Sequence, residues 1–180
     1  MDMSKIPVGE EVPNDINVII ENPMGGTPVK YELDKASGAM FVDRFLHTAM
    51  FYPGNYGFVP HTLSGDGDPV DVLVLGHIPV MPGSVLRARP VGVLEMEDEA
   101  GMDEKIIAVP CADLHPYHEG VTSYEDLQPI ILEQIEHFFQ HYKDLEKGKW
   151  VKMIKWADAD AAKGMILDGI KRYQKTEKVA

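Results

Sequence analysis

The sequence predicts an α+β fold, with a mostly antiparallel sheet of short strands in its first two thirds and two covering helices in its last third. Two patterns carry this reading. Prolines and glycines are spread through the first two thirds and cut it into short apolar runs, the signature of strands and turns. The last third holds few such breakers, and its apolar residues recur at helical spacing. The 180 residues are enough for one compact domain, 1–180, to bury a sizeable core. Many short strands followed by helices suit a sheet that closes into a small barrel under the helices.

In chain order, Ile16 to Ile20, Pro28 to Leu33, Met40 to Val42, Val70 to Leu75, Val85 to Met96 and Lys105 to Val109 read as strands. The second alternates, placing Val29, Tyr31 and Leu33 on one face and Lys30 and Glu32 on the other. From Ser123 the period changes. Ser123 with Asp126 resembles a capping box, and Ile131, Ile135, Phe138, Phe139, Tyr142 and Leu145 then trace one face of a helix ending near Gly148. A second helix is expected after Trp156, with Asp158 as N-cap and Ala162, Ile166, Ile170 and Tyr173 as its apolar stripe.

The charged residues, 17 basic against 29 acidic, give a net charge of −12. Such a field repels nucleic acid unless the basic residues cluster tightly, and no basic run is present. If the chain holds an anionic substrate, cations must stand between it and the carboxylates. Cys111 is the only cysteine, which suits a reducing compartment and reads as a buried, inert thiol. The first residues carry acids where a secretory signal carries bases, and no stretch approaches the length of a membrane span. The expectation is a soluble, cytoplasmic protein with neither nucleic acid nor membrane as partner.

The residues that carry chemistry begin with Asp66, Asp68 and Asp71, which fall within six positions immediately before an apolar strand. Gly65, Gly67 and Pro69 shape the turn between them. Crowded carboxylates repel unless solvated or neutralised by a cation, so this segment is either an ordinary acidic turn or part of a metal site. An EF-hand is ruled out, because its fifth, sixth and twelfth positions would fall on Val70, Asp71 and His77. Glu97, Asp98, Glu99 and Asp103 form a second acidic group, which alone reads as a solvated loop. Two acidic loops beside antiparallel strands can nevertheless face one cavity and suit hard cations.

The cationic complement is Lys30, Arg44, Lys105 and Lys143, each bland on its own as a surface charge. The segment Phe51-Tyr52-Pro53-Gly54-Asn55-Tyr56-Gly57-Phe58 differs in kind, since its turn and glycines make a rigid loop that aims phenolic hydroxyls, although core tyrosines are the plainer alternative. Phosphate-loop, dinucleotide and nucleophile-elbow motifs are absent. His137 and His141 are one helical turn apart, but Phe138 stands where the metalloprotease pattern requires Glu, so a structural or subunit-contact role is favoured.

Taken together these residues resemble the soluble family I inorganic pyrophosphatases of bacterial type. The segment Asp66-Gly67-Asp68-Pro69-Val70-Asp71-Val72 is similar to that family's signature. Around it, in family order, stand Glu21, Lys30-Tyr31-Glu32, Val42-Asp43-Arg44, the 51–57 segment, Arg89 to Leu94, Asp98-Glu99-Ala100-Gly101, His141 to Glu146 and Lys149-Trp150. The resemblance implies a five-stranded OB-like β-barrel with two principal helices and a homohexamer built as a dimer of trimers. It also implies hydrolysis of pyrophosphate to two phosphates with several Mg²⁺ ions, Mn²⁺ or other divalent cations being alternatives.

By the same resemblance, Asp66, Asp71 and Asp103 would ligate the first metal, with Asp71 shared by a second. Asp98 and Asp103 would serve a metal that arrives with substrate, and Glu21 and Glu32 would act through coordinated waters. Lys30 and Tyr56 would contact the electrophilic phosphate, while Arg44, Tyr142 and Lys143 would hold the leaving phosphate. Tyr52 and Lys105 belong to the same cavity. Physically, a stable polyanion is cleaved by neutralising its charge and supplying a nucleophile that is not repelled. Cations sharing one water provide a hydroxide near neutral pH, and Asp68 would be the base or acceptor that orients it, without a covalent intermediate.

Overall fold

The computed structural model describes residues 2–177. In chain order its strands are β1 (Ile16–Asn22), β2 (Val29–Leu33), β3 (Met40–Phe45), β4 (Asn55–Phe58), β5 (Asp71–Val74), β6 (Val85–Asp98), β7 (Gly101–Pro110) and β8 (Val151–Ala157). The helices are α1 (Pro129–His141) and α2 (Ala159–Glu177). No helix among the described residues is long and apolar enough to cross a membrane.

Five strands form a closed ring. The order runs β1, β4, β5, β7, β6, and β6 returns to pair with β1. All contacts in the ring are antiparallel except β5 with β7, so the fold is the expected α+β barrel of OB-like form. Closure removes the free edges that an open sheet of this size would expose. β6 makes it possible by its length of 14 residues and by a register shift at Pro90–Gly92. Its first residues pair with β1, and its second half carries β8 on the outside. β2 and β3 form a separate hairpin.

The ring's strands alternate between two apolar clusters, as a period of two requires. Val72, Val74, Ile106 and Ala108 join Ile16, Val18 and Ile20 in a cluster that includes Ala162 and Ile166 of α2. Leu73, Ile107 and Val109 face the other way, against Ile135, Phe138 and Phe139 of α1. A strand buried on both faces is apolar throughout, which is why β5 after Asp71 reads as an unbroken run, Val72 to Leu75.

Four elements depart from the sequence reading. The acidic group Glu97 to Asp103 reads as a loop, but β6 runs to Asp98 and β7 starts at Gly101, so only Glu99 and Ala100 turn between them. β4 falls within the segment that reads as a rigid loop: Gly57 lies where β1 crosses so closely that a Cβ there would sit 1.9 Å from the Ile19 carbonyl oxygen. β8 has no counterpart among the expected strands. The Ser123–Asp126 capping box exists, but it caps a single 3-10 turn at Tyr124–Asp126. Pro129 disfavours helical geometry at Gln128, whose ψ is 137°, and the α-helix starts afresh at Pro129. It ends at His141, not near Gly148, leaving Tyr142 and Leu145 in the turns beyond it. The N-cap at Asp158 holds, its carboxylate accepting from Ala161 N at 2.9 Å.

Candidate active site

A cleft of ≈ 350 Å³ is bordered by every residue singled out from the sequence for a site role. Glu21 comes from the end of β1, Lys30 and Glu32 from β2, Arg44 from β3, and Tyr56 from β4 with Tyr52 just before it. Asp66 and Asp68 occupy the loop before β5, and Asp71 opens that strand. Asp98 closes β6, Asp103 and Lys105 lie two apart on β7, and Tyr142 and Lys143 follow α1 directly. The two-residue spacings on β2 and β7 put each pair on one face of its strand.

Charge in this cleft is interleaved. Lys105 Nζ lies 2.6 Å from both Asp71 Oδ2 and Asp103 Oδ1, and Lys143 Nζ lies 2.8 Å from Asp98 Oδ2. Lys30 pairs with Glu32 and, at 3.3 Å, with Asp43. Arg44 Nε stands 3.1 Å from Glu146 Oε1 as an ion pair without hydrogen-bond alignment. Burial alone would lower the Lys105 ammonium, but Asp71, Tyr56 and Asp103 around it outweigh burial and hold its pKa well above the usual range. Burial raises Asp103 despite Lys105. At Asp98 burial is outweighed by hydrogen bonds from Lys143 and the Ala100 amide, which hold the carboxyl low.

Glu21 is strongly perturbed. Burial, with Asp71 and Glu32 adding to it, pushes it up to about 7, while its Oε1 accepts from Leu33 N at 2.8 Å. The phenols of Tyr52 and Tyr56 are buried and stacked at 5.1 Å between ring centroids. Burial raises both well above the ordinary tyrosine value, so they are protonated donors at neutral pH. Lys105 lies 5.6 Å over the Tyr56 ring.

Asp68 differs from its neighbours. Its side chain is 80% exposed, against 30% for Asp71 and 17% for Asp103. It stands at the tip of a turn in which Asp66 Oδ1 accepts from Asp68 N at 3.0 Å, and Gly67 takes the left-handed φ of 93°. Lys35 reaches it at 3.6 Å.

Sequence patterns assign no role to Lys35, Asp43, Glu99, Glu146 or Lys149, although the last four lie inside the family-like segments. Lys35, Glu99 and Lys149 border the cleft, and Lys149 pairs with Glu99. Proximity to Asp98 and Lys143 is the signal that points to Glu99 and Glu146; Lys35 carries none. Cys111 is buried outside the cleft, its thiol raised by burial, in keeping with an inert group. His137 and His141 face each other at 4.6 Å, and His141 pairs with Asp144 at 2.8 Å.

The donors facing the cleft are carboxylate oxygens, the hard set that Mg²⁺, Mn²⁺ and Ca²⁺ prefer to thiol or imidazole. Among the described residues no three acidic, imidazole or thiol groups converge tightly enough to share one ion. Lysine ammoniums stand between the carboxylates instead, each using one oxygen of its partner. The set fits a hard divalent cation that competes with those ammoniums.

A family model described as inorganic pyrophosphatase matches residues 18–174. The inorganic pyrophosphatase of Caulobacter vibrioides is 62% identical over 98% of this chain and 99% of its own, and that of Rhodospirillum rubrum 66% identical over 94% and 95%. Among solved structures, the inorganic phosphatase of Anaplasma phagocytophilum superposes with a TM-score of 0.92 at 50% identity, covering 94% of this chain and 99% of that one. The inorganic pyrophosphatase of Thermus thermophilus superposes with 0.90 at 44% identity, covering 97% and 99%. With the family's profile spanning most of the chain and the barrel shared with its solved members, this chain belongs to the inorganic pyrophosphatases and falls with their bacterial representatives.

Proposed function

We propose that the chain hydrolyses inorganic pyrophosphate to two phosphates in the cleft between β2, β5, β7 and the end of α1, using several divalent cations, Mg²⁺ foremost. The observation that carries this reading is the interleaving of carboxylates with lysine, arginine and phenol donors around one small cleft. A polyanion alone would be repelled by such a site, and a cation alone would need no arginine. Asp66, Asp71, Asp98 and Asp103 would hold the cations, with Glu21 and Glu32 reaching them through water. Bound divalent cations neutralise phosphate charge and acidify water.

The chain's own residues divide the remaining work. Lys30 and Tyr56 would donate to the phosphate under attack, Lys30 exchanging its bond to Glu32 or Asp43 for one to a phosphate oxygen. Arg44, Tyr142 and Lys143 would hold the departing phosphate, Arg44 exchanging its Nη1 bond to Asp43 and its unaligned contact with Glu146 for phosphate oxygens. Tyr52 and Lys105 complete the donor wall. Asp68, exposed at its loop tip, would accept the proton of the attacking water, so that no side chain becomes phosphorylated. A homohexamer in the cytoplasm is part of the same proposal, supported by exposed apolar side chains such as Phe45, Phe51, Met81 and Tyr117, which further copies would cover.

The test is phosphate release from pyrophosphate with Mg²⁺, with chelator, and against tripolyphosphate and ATP. Magnesium-dependent turnover of pyrophosphate well above the larger substrates is expected. Metal-independent or absent release refutes the proposal, and preference for ATP moves the substrate to the nucleotide class. Sedimentation at several protein concentrations checks the assembly.

A further inference from the structure

The loop that carries Asp66 and Asp68 leaves the barrel at Val59 and rejoins it at Val70. Its tip is bound mainly to itself: Ser64 N donates to the Asp68 carbonyl at 2.6 Å, Gly67 N to Ser64 O at 3.3 Å, and Asp68 N to Asp66 Oδ1. Gly65 and Gly67 would have nothing within 4 Å of an added Cβ, so packing does not fix the tip. Lys35 reaches the tip only by a solvent-exposed ion pair 3.6 Å long to Asp68, too weak to place it, so its position is inherited mainly from the neck.

The neck is closed by one buried side chain. Thr62 is 1% exposed, and its Oγ1 donates to the Val59 carbonyl at 2.7 Å while accepting from Val70 N at 3.0 Å. A backbone bond from Val59 N to the Val70 carbonyl, 2.9 Å, lies beside it. One hydroxyl thus spans both ends of the loop, using its donor and an acceptor lone pair at once. The next residue is held by α2. Leu63 N donates to the Gly169 carbonyl at 3.0 Å, and the Leu63 carbonyl accepts from Arg172 Nε at 2.8 Å. Gly169 permits this approach, since a Cβ there would meet Val70 Cγ2 at 2.7 Å. His61 turns the chain with a φ of 54° and sets its ring edge-on to Tyr173 at 5.3 Å.

We propose that Thr62, with the Gly169–Arg172 turn of α2 behind it, is a positioning residue that sets Asp66 and Asp68 against the opposite wall of the cleft. Thr62 touches neither substrate nor reacting atoms. It acts by fixing where the exposed loop tip stands, which is what groups that orient a water or a cation require. The inference rests on the roles proposed above for Asp66 and Asp68.

The test compares Thr62→Val, which keeps the shape and removes the hydroxyl, with Thr62→Ser, which keeps the hydroxyl and removes the methyl. In the full chain, Thr62→Val is expected to lower kcat and raise the half-saturating Mg²⁺ concentration, each about tenfold, the scale of losing a buried hydrogen-bond partner. KM for pyrophosphate should change less than about twofold. Thr62→Ser should restore both to within about threefold. Independently of activity, amide hydrogen exchange in metal-free protein should quicken over residues 60–70 in Thr62→Val and stay unchanged in β6 and β7. Wild-type kcat and Mg²⁺ dependence in Thr62→Val overturn the proposal, as does a defect that Thr62→Ser shares or a loss of protection throughout the barrel. Should Thr62→Val not fold, Arg172→Gln takes its place. Faster exchange over residues 60–70 with a raised Mg²⁺ requirement then supports the proposal, and parental behaviour in both overturns it. If the unaltered chain does not hydrolyse pyrophosphate, the functional reading fails, while the exchange experiment still judges the neck.

Discussion

Lys105 and Asp71 form a close charge pair between the adjacent strands β7 and β5, 2.6 Å from ammonium to carboxylate, with the lysine side chain only 5% exposed. Asp103 shares that ammonium, so one positive charge serves two carboxylates at a position reserved for a cation in the proposed mechanism. Breaking a buried pair leaves an uncompensated charge, a loss of about 3 kcal/mol. Lys105→Met should accordingly destabilise the metal-free protein by about that amount. Mg²⁺ should then stabilise the variant more than the unaltered chain, because the cation no longer competes with the ammonium. Denaturant unfolding with chelator and with Mg²⁺ measures both. Equal Mg²⁺ increments in the two proteins would show that no cation settles between Asp71 and Asp103.

Asp68→Asn isolates the proposed base from the fold. The replacement keeps the side chain's shape and the backbone bonds of the loop tip, and the native carboxylate is too exposed to support the core. Unfolding stability should stay within about 0.5 kcal/mol of the parent. The turnover number should fall by about a hundredfold or more, the usual contribution of a positioned proton acceptor. Steady-state kinetics beside an unfolding curve decide the matter. Activity within a few-fold of the parent would transfer the role to another carboxylate.

The ring's strands are legible as short apolar runs between turn residues, while their closure into five comes from the family resemblance, and α2 is legible because Asp158 and its stripe agree. β4 hides behind Pro53-Gly54 and Gly57, residues that punctuate loops in a sequence. In three dimensions Gly57 is demanded by the crossing of Ile19. β8 hides because Lys152, Ile154 and Lys155 are exposed along a strand whose register with β6 shifts, so no clean alternation survives. At the site, the 66–71 carboxylates announce themselves by crowding. Lys30, Arg44 and Lys143 are ordinary lysines and an arginine until the fold aims them, and only the family resemblance picks them out. Lys35 escapes altogether, since its link to Asp68 exists only where the turn after β2 meets the loop before β5.

Glu21 makes the metal-free fold less stable as pH rises. Its folded pKa, about 7, lies above the ordinary 4.5 because burial, Asp71 and Glu32 disfavour the anion. A raised carboxyl binds its proton more tightly in the folded state, so its contribution is full below pH 4.5 and is lost as pH rises through 7. At pH 8 the metal-free protein therefore carries a buried anion that costs about 2 to 3 kcal/mol. Glu21→Gln removes that charge while keeping an oxygen to accept from Leu33 N. With chelator present, the variant should be the more stable protein at pH 8, by about 2 kcal/mol, and indistinguishable from its parent near pH 4. Mg²⁺ at pH 8 should reverse the order, since a cation near Glu21 turns the anion from a liability into a contact. Thermal unfolding over that pH range, with and without Mg²⁺, provides the measurement. A variant less stable at pH 8 in chelator would mean that Glu21 is held charged by partners stronger than its burial.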